Sequence, residues 1–267
     1  MKILIRGAGD IATGIALRLY RAGMQVVMTD LPAPTAIRRT VCFSQAIILG
    51  EMTVEDVTVR RAETPDQAEA LLAQGLIPVL ADPDCTCRTR LRPDALVDAI
   101  LAKRNLGTKM DDAPIVVGIG PGFTAGEDCH AVVETMRGHT LGRVIYRGSA
   151  LPNTNIPGLI GGYAGERVLR APAEGIFCQK LEIGAVVRAG DIAGEVAGQP
   201  MRCTIDGVLR GILADGTPVF RGMKAGDVDP RCKPEYCTTA SDKALAVGGG
   251  VLEAVLHLHH QHPKTGK

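Results

Sequence analysis

Residues 3 to 14 read Ile3-Leu-Ile-Arg-Gly7-Ala-Gly9-Asp-Ile-Ala12-Thr-Gly14, a short apolar run, a glycine turn, and the start of a segment with helical period. Gly7 permits a tight turn, Gly9 lets the backbone close on a pyrophosphate, and Ala12 takes the third small position, where helix meets strand. The amides of Asp10, Ile11 and Ala12 then face an anion with the helix dipole behind them. Asp30 ends the next apolar run, twenty-one residues beyond Gly9. There its carboxylate can accept from a ribose hydroxyl, which favours NAD over NADP. The same residues also allow a plain strand-to-helix turn with no ligand.

Outward from this unit, apolar runs of strand length alternate with helical segments as far as Arg147, the pattern of βαβ units around a parallel sheet. Strands are expected at 2–6, 25–29, 56–60, 76–81, 114–119 and 142–147. Helices are expected at 10–22, 65–74, 93–103 and 128–137. The stretch 35–52 fits neither template. The fold class is α/β: a Rossmann-like, mostly parallel sheet over 1–165, a small β-rich module over 166–240, and a C-terminal helix and tail over 241–267.

The middle module carries an internal repeat at an offset of thirty-two residues: Gly175, Ile176, Gly184, Val187 and Gly190 recur as Gly207, Val208, Gly216, Val219 and Gly222. Each copy is too small to bury a face alone, so the two should pair into one sandwich or barrel. The repeat resembles the hammerhead of biotinyl and lipoyl carrier domains. The segment joining its halves, Gly198 to Thr204, has no lysine to modify, which leaves a structural module or lid. In the last segment Gly248, Gly249 and Gly250 interrupt a helical period at a cost of ~1 kcal/mol each relative to alanine. Such a run marks a close approach of another element, a loop, or a phosphate turn.

With 46% hydrophobic and 22% charged residues, the chain is far too apolar for disorder. A net charge of +1, 3% aromatics and no Trp give no footprint for nucleic acid. No apolar run approaches the ~18 residues of a membrane span, and Met1 leads straight into a strand without a leader. The expectation is a cytoplasmic protein, neither secreted nor membrane-spanning, with its eight cysteines as free thiols. Their spacings do not suit a zinc knuckle.

A second glycine-rich turn, Gly118-Ile-Gly120-Pro-Gly122-Phe-Thr-Ala-Gly126, follows the strand at 114–119. Ligands of parallel sheets collect at the carboxyl ends of strands, and this turn, the first one and the 82–87 loop all belong there. Gly118, Gly120, Gly122 and Thr124 can cradle a second phosphate, or admit a flat ring against Phe123. The bland reading is a connection of no consequence. In the helix expected next, Cys129, Val132, Val133 and Met136 form a core face, and His130, Glu134 and Arg137 line another stripe, with His139 just beyond. Outside the tail, His130 and His139 are the only imidazoles, so a histidine general base must be one of them. Cys85 and Cys87 stand among Asp82, Asp84, Arg88 and Arg90. The arginines favour thiolate and the aspartates oppose it, so a redox or chalcogen-handling role stays open beside plain packing. His257, His259, His260 and His262 could grip a metal ion or form a solvated end.

Six stretches, RGAGDIATG (6–14), AKRNLGT (102–108), GIGPGFTAGED (118–128), ETMRGHTLGRVI (134–145), NTNIPG (153–158) and SDKALAVGGGVLEA (241–254), resemble in order the YqeB-type accessory family of selenium-dependent molybdenum hydroxylases. The resemblance implies a role in maturing hydroxylases whose active metal carries labile selenium, with the apo-enzyme as partner. It implies a ligand site at the turns 7–14 and 118–126, for NAD or molybdopterin dinucleotide, and an acid-base cluster of Glu134, Arg137 and His139. Cys85 and Cys87 match no motif of that family. Two other functions fit the residues: an NAD-dependent oxidoreductase of a small metabolite, using Asp30 and His130, and a non-catalytic scaffold that docks partners through its β module.

Overall fold

The computed structural model describes residues 1–261. The described residues form two compact units, one of residues 1–34, 43–153 and 240–261, the other of 35–42 and 154–239. The division departs from the expected 1–165, 166–240 and 241–267. The second unit starts twelve residues earlier, part of the ambiguous 35–52 stretch belongs to it, and the C-terminal helix is no separate element but part of the first core.

In the first unit the elements run β1 (Lys2–Arg6), α1 (Asp10–Arg21), β2 (Gln25–Thr29), α2 (Ala46–Leu49), β3 (Glu51–Val54), β4 (Val57–Ala62), α3 (Pro65–Ala73), β5 (Ile77–Leu80), α4 (Arg88–Leu91) and β6 (Ala95–Asp98). There follow β7 (Ile115–Ile119), β8 (Thr124–Ala125), β9 (Ala131–Val133), β10 (Val144–Ile145), β11 (Gly148–Ser149) and, from the end of the chain, α5 (Asp242–Gln261). Nine strands make one sheet in the order β10-β9-β7-β6-β1-β2-β5-β4-β3. Every neighbouring pair from β9 to β4 is parallel, and only the edge pairs β9/β10 and β3/β4 are antiparallel. Strands β1, β5, β6 and β7 are apolar runs buried along nearly their whole length, as a sheet covered on both faces requires.

Two expected helices are corrected. The 93–103 segment holds strand β6, because Ala95-Leu96-Val97 is an apolar run buried on both faces, which helical spacing mimics over so few residues. The 128–137 segment is a loop around β9, whose β-branched Val132 and Val133 extend the sheet beside β7. The core face assigned to Cys129, Val132, Val133 and Met136 is therefore not a helix face.

The 20-residue α5 runs straight through its three glycines. A Cβ on Gly248 would stand 2.8 Å from the Gly14 carbonyl of α1, and one on Gly14 would stand 2.5 Å from the Ala244 Cβ. The glycine run marks the close approach of helices, one of the three expected readings.

The second unit contains β12 (Val168–Arg170), β13 (Gly175–Gln179), β14 (Val186–Val187), β15 (Ile192–Val196), β16 (Gln199–Arg202), β17 (Gly207–Ile212), β18 (Pro218–Val219) and β19 (Lys224–Asp229). Shifting β13, β14 and β15 by thirty-two residues lands on β17, β18 and β19, so the sequence repeat is a structural one. The copies interlock: β14 of the first pairs with β17 of the second, and β18 of the second pairs with β13 of the first. Two four-stranded sheets result, β12-β19-β17-β14 and β16-β15-β13-β18, closed over Phe177, Val196, Leu209, Ile212 and Val228.

Candidate functional site

Parallel strands bring the ends of β1, β2, β5, β6 and β7 to one edge of the first unit, as expected for the 7–9, 82–87 and 120–122 loops. The first turn is held from three sides. The Gly7 amide donates to the Thr29 carbonyl at 2.8 Å, the Ala8 amide to Asp30 Oδ2 at 2.7 Å, and the Ser44 amide to the Ala8 carbonyl at 2.9 Å. Gly7 has φ +104°, and a Cβ there would meet the Ala99 carbonyl at 2.8 Å, so both backbone and space require glycine. Gly9 caps α1 without a side-chain hydrogen bond, and nothing lies within 4 Å of where its Cβ would stand.

Asp30 does not reach into open space. Its Oδ1 also accepts the Leu31 amide at 2.7 Å, and burial pushes its carboxyl above the ordinary range against the pull of those two amides. It braces the turn and keeps a lone pair on each oxygen. Asp10 accepts the Ile11 amide at 2.8 Å, while Ile11 and Ala12 are buried on α1. Sequence reasoning missed Ser44. Its side chain is fully buried, and its hydroxyl has no hydrogen-bond partner among the described residues.

The second turn is filled by the protein itself. The Phe123 ring occupies the space beside Gly118, the Thr135 hydroxyl stands 2.6 Å from a Cβ at Gly120, and the Arg104 backbone stands 2.6 Å or less from one at Gly122. Phe123 is buried, so it offers no platform for a ring. Thr124 donates its amide to Asp128 at 2.8 Å and shares a hydrogen bond with Ser149 at 3.0 Å. The expected second phosphate cradle is a packed turn.

The expected acid-base group is not assembled. His130 Nδ1 accepts the Val116 amide at 3.0 Å, which makes the imidazole part of the β7 edge. Glu134 is 2% exposed, and its carboxylate accepts three amides, from Thr135 and Met136 at 2.7 Å and from Leu151 at 2.8 Å. Arg137 grips Asp242 of α5 with two bonds, at 2.7 and 2.9 Å. His139 is exposed in the following turn. With the segment a loop around β9, the stripe that was to align these four does not exist. Cys129 is packing, its thiol pushed up to about 11 by burial.

Cys85 and Cys87 are brought together, both buried, in the loop after β5. Cys85 holds φ +54°, uncommon for a residue with a side chain. Its sulfur lies 3.2 Å from the Thr29 hydroxyl. A hydrogen bond from the Cys87 thiol lowers the Cys85 pKa, aided by Thr29 and Arg6 against burial and Asp82. The same bond, with burial and Asp82, holds the Cys87 proton far above its ordinary value. Arg6 is fixed by bonds to the Pro83 carbonyl and the Thr108 hydroxyl, both at 3.0 Å, and by its pair with buried Asp98.

In the tail, His257 lies 4.7 Å from the Tyr146 ring and His260 Nδ1 2.8 Å from the Leu256 carbonyl; His262 lies outside the described residues. Among the described residues no helix is long and apolar enough to cross a membrane, and no group of three or more His, Cys, Asp or Glu could hold a metal ion.

No family model matches the chain. It is 51% identical over 265 residues to a protein of Escherichia coli (strain K12) described as uncharacterized protein YqeB. The match covers 99% of this chain and 49% of the other, so the chain spans about half the length of the curated relative it matches. Among solved structures it is similar to an aspartoacylase family protein from Mesorhizobium loti, at 13% identity over 55% of this chain and 60% of that one, with a TM-score of 0.24. It is also similar to a succinylglutamate desuccinylase from a Silicibacter species, at 12% identity over 85% and 84% of the chains, with a TM-score of 0.25. Such scores carry nothing about chemistry.

Proposed function

We propose that this chain is a member of the YqeB-type family, and that it serves the maturation of selenium-dependent molybdenum hydroxylases by binding a dinucleotide, NAD or molybdopterin dinucleotide, at the turn from Gly7 to Ala12. Similarity along nearly the whole chain to the Escherichia coli relative supports the family. The observation that carries the ligand is the open start of α1: Gly9 faces space, while Gly7 and Gly14 beside it, and Gly118, Gly120 and Gly122 of the second turn, face packed atoms. The helix supplies amides and a dipole to a phosphate there. The buried Ser44 hydroxyl, on the residue whose own amide donates to the Ala8 carbonyl, supplies a donor in want of a partner. Around β1 the strand order β5-β2-β1-β6-β7-β9 reverses direction as in a Rossmann sheet, where ligands bind at the strands' carboxyl ends. A phosphate in this position replaces the Asp10 carboxylate on the Ile11 amide.

The oxidoreductase alternative, motivated by Asp30 and His130, loses support, because His130 Nδ1 accepts the Val116 amide and Asp30 accepts the amides of Ala8 and Leu31. A docking role for the second unit keeps one support, the exposed apolar Ile176, Val186 and Phe220.

Calorimetric titration with NAD, NADP and molybdopterin dinucleotide tests the ligand, repeated on Gly9→Arg, where a Cβ meets nothing within 4 Å. Binding of one ligand, lost in a folded variant, supports the site. Binding of none removes the dinucleotide, and an apo-hydroxylase activated equally with and without this protein removes the maturation role.

A further inference from the structure

We propose that Cys85 and Cys87 form a thiol-disulfide exchange site, with Cys85 attacking and Cys87 resolving, for a small zwitterionic disulfide of the amino-acid or peptide type. This goes beyond the dinucleotide reading and does not depend on it, though the two sites are neighbours: Arg6 and Thr29 contact the thiol loop, and the residues after them, Gly7 and Asp30, belong to the first turn.

Three observations carry it. First, the two sulfurs are unequal partners in one hydrogen bond. The Cys85 sulfur lies 3.2 Å from the Thr29 hydroxyl and beside the Cys87 thiol; once ionised it can accept from both, which favours its thiolate, while Cys87 keeps its proton. An exchange site needs this inequality, with one sulfur ionised to attack and another in contact to displace the product. Second, Cys85 lines a cavity of about 130 Å³ with Arg6, Leu106 and Thr108, so the buried thiol has space before it. Third, that cavity shares Arg88, Gly107 and Asp112 with a broader hollow of about 1010 Å³. Arg88, Arg92 and Lys109 line the hollow together with Asp94, Asp111 and Asp112. Arg88 and Asp112 pair with each other at 3.0 Å, and the mixed lining as a whole suits a ligand that carries both ammonium and carboxylate groups rather than a plain anion.

The chemistry balances with the disulfide as the only oxidant. The Cys85 thiolate attacks one sulfur of RS–SR, forming Cys85–S–S–R and expelling RS⁻. The Cys87 proton passes to that RS⁻, and the freed sulfur attacks Cys85 Sγ, closing the Cys85–Cys87 disulfide and expelling the second RS⁻. Two thiols of the protein are oxidised by two electrons, and the small disulfide is reduced to one thiol and one thiolate.

The test treats the reduced full chain with glutathione disulfide and maps the products by peptide mass spectrometry. Wild type should yield the Cys85–Cys87 disulfide. Cys87→Ser should accumulate a glutathione adduct on Cys85, and Cys85→Ser should form none on Cys87. The wild-type experiment alone keeps the proposal falsifiable if either variant fails to fold. Cys85 and Cys87 remaining thiols, or adducts confined to the exposed Cys178 and Cys232, would overturn it. Compared with cystine, the small neutral 2-hydroxyethyl disulfide should react about tenfold more slowly, the scale of one favourable contact. Equal rates would overturn the zwitterionic specificity.

Discussion

Asp30, the residue after β2, accepts the amide of Ala8 in the turn after β1 at 2.7 Å, tying the two strand ends together. Removing the carboxylate with Asp30→Ala orphans that amide and the Leu31 amide, at a cost of about 1–3 kcal/mol for each one left unsatisfied. Urea denaturation should show the loss. The pH dependence has a definite sign. Burial raises the Asp30 pKa in the folded chain, so the proton is held more tightly there than in the unfolded chain. Relative to Asp30→Asn, wild-type stability should be highest below the ordinary carboxylate value of about 3.9, fall as pH rises through the raised value, and then stay level.

Glu134 offers a comparable test, because its two oxygens serve three amides across seventeen residues of chain. Glu134→Gln keeps the shape but turns one oxygen into a donor, which faces an amide donor. A loss of about 1–3 kcal/mol is expected, seen as a lower urea midpoint. Hydrogen exchange should quicken at Leu151, Thr135 or Met136, the amides left without an acceptor. Unchanged stability would mean that the carboxylate does not hold these three amides.

The sequence made the opening βαβ unit and the thirty-two-residue repeat legible, because each rests on local pattern, alternating period and recurrent glycine; the glycine run at Gly248 left close approach as one of three readings. Strand β6 and the β9 loop were not legible. A run such as Ala95-Leu96-Val97, buried on both faces, has no period to distinguish strand from helix. Misplacing the 128–137 segment then manufactured a stripe of His130, Glu134 and Arg137 that the chain never forms. Ser44 gave no signal, since an orphaned hydroxyl is a property of its surroundings. The Cys85 and Cys87 pair was visible as a spacing, but the direction of each thiol shift depends on which sulfur donates to the other and, for Cys85, also on Thr29, fifty-six residues away.

In the second unit, Asp227 is 1% exposed and pairs with both Arg167 and Arg210, the latter Nε at 2.9 Å. Breaking a buried pair by removing one partner costs about 3–5 kcal/mol, because the other charges stay buried. Asp227→Ala should therefore quicken hydrogen exchange at the paired β17 and β19 amides. The amides of β1 and β7, in the other unit, should be unchanged, which distinguishes local loss from general misfolding.

Adjacent glycines of α5 should respond to the same substitution with opposite signs. A Cβ on Gly249 meets nothing within 4 Å, whereas one on Gly250 would overlap the Gly142 carbonyl and stand 2.8 Å from Val133. Both positions are in mid-helix, where alanine is favoured over glycine by about 1 kcal/mol. At Gly249 nothing opposes that gain, so Gly249→Ala should raise the urea midpoint by up to about 1 kcal/mol of stability. At Gly250 the obstacle is backbone, which cannot rotate away as a flexible side chain can, and overpacking typically costs about 1–3 kcal/mol. The steric term outweighs the helix preference there, and Gly250→Ala should lower stability. Equal gains at the two sites would mean that α5 does not lie against the Gly142 turn.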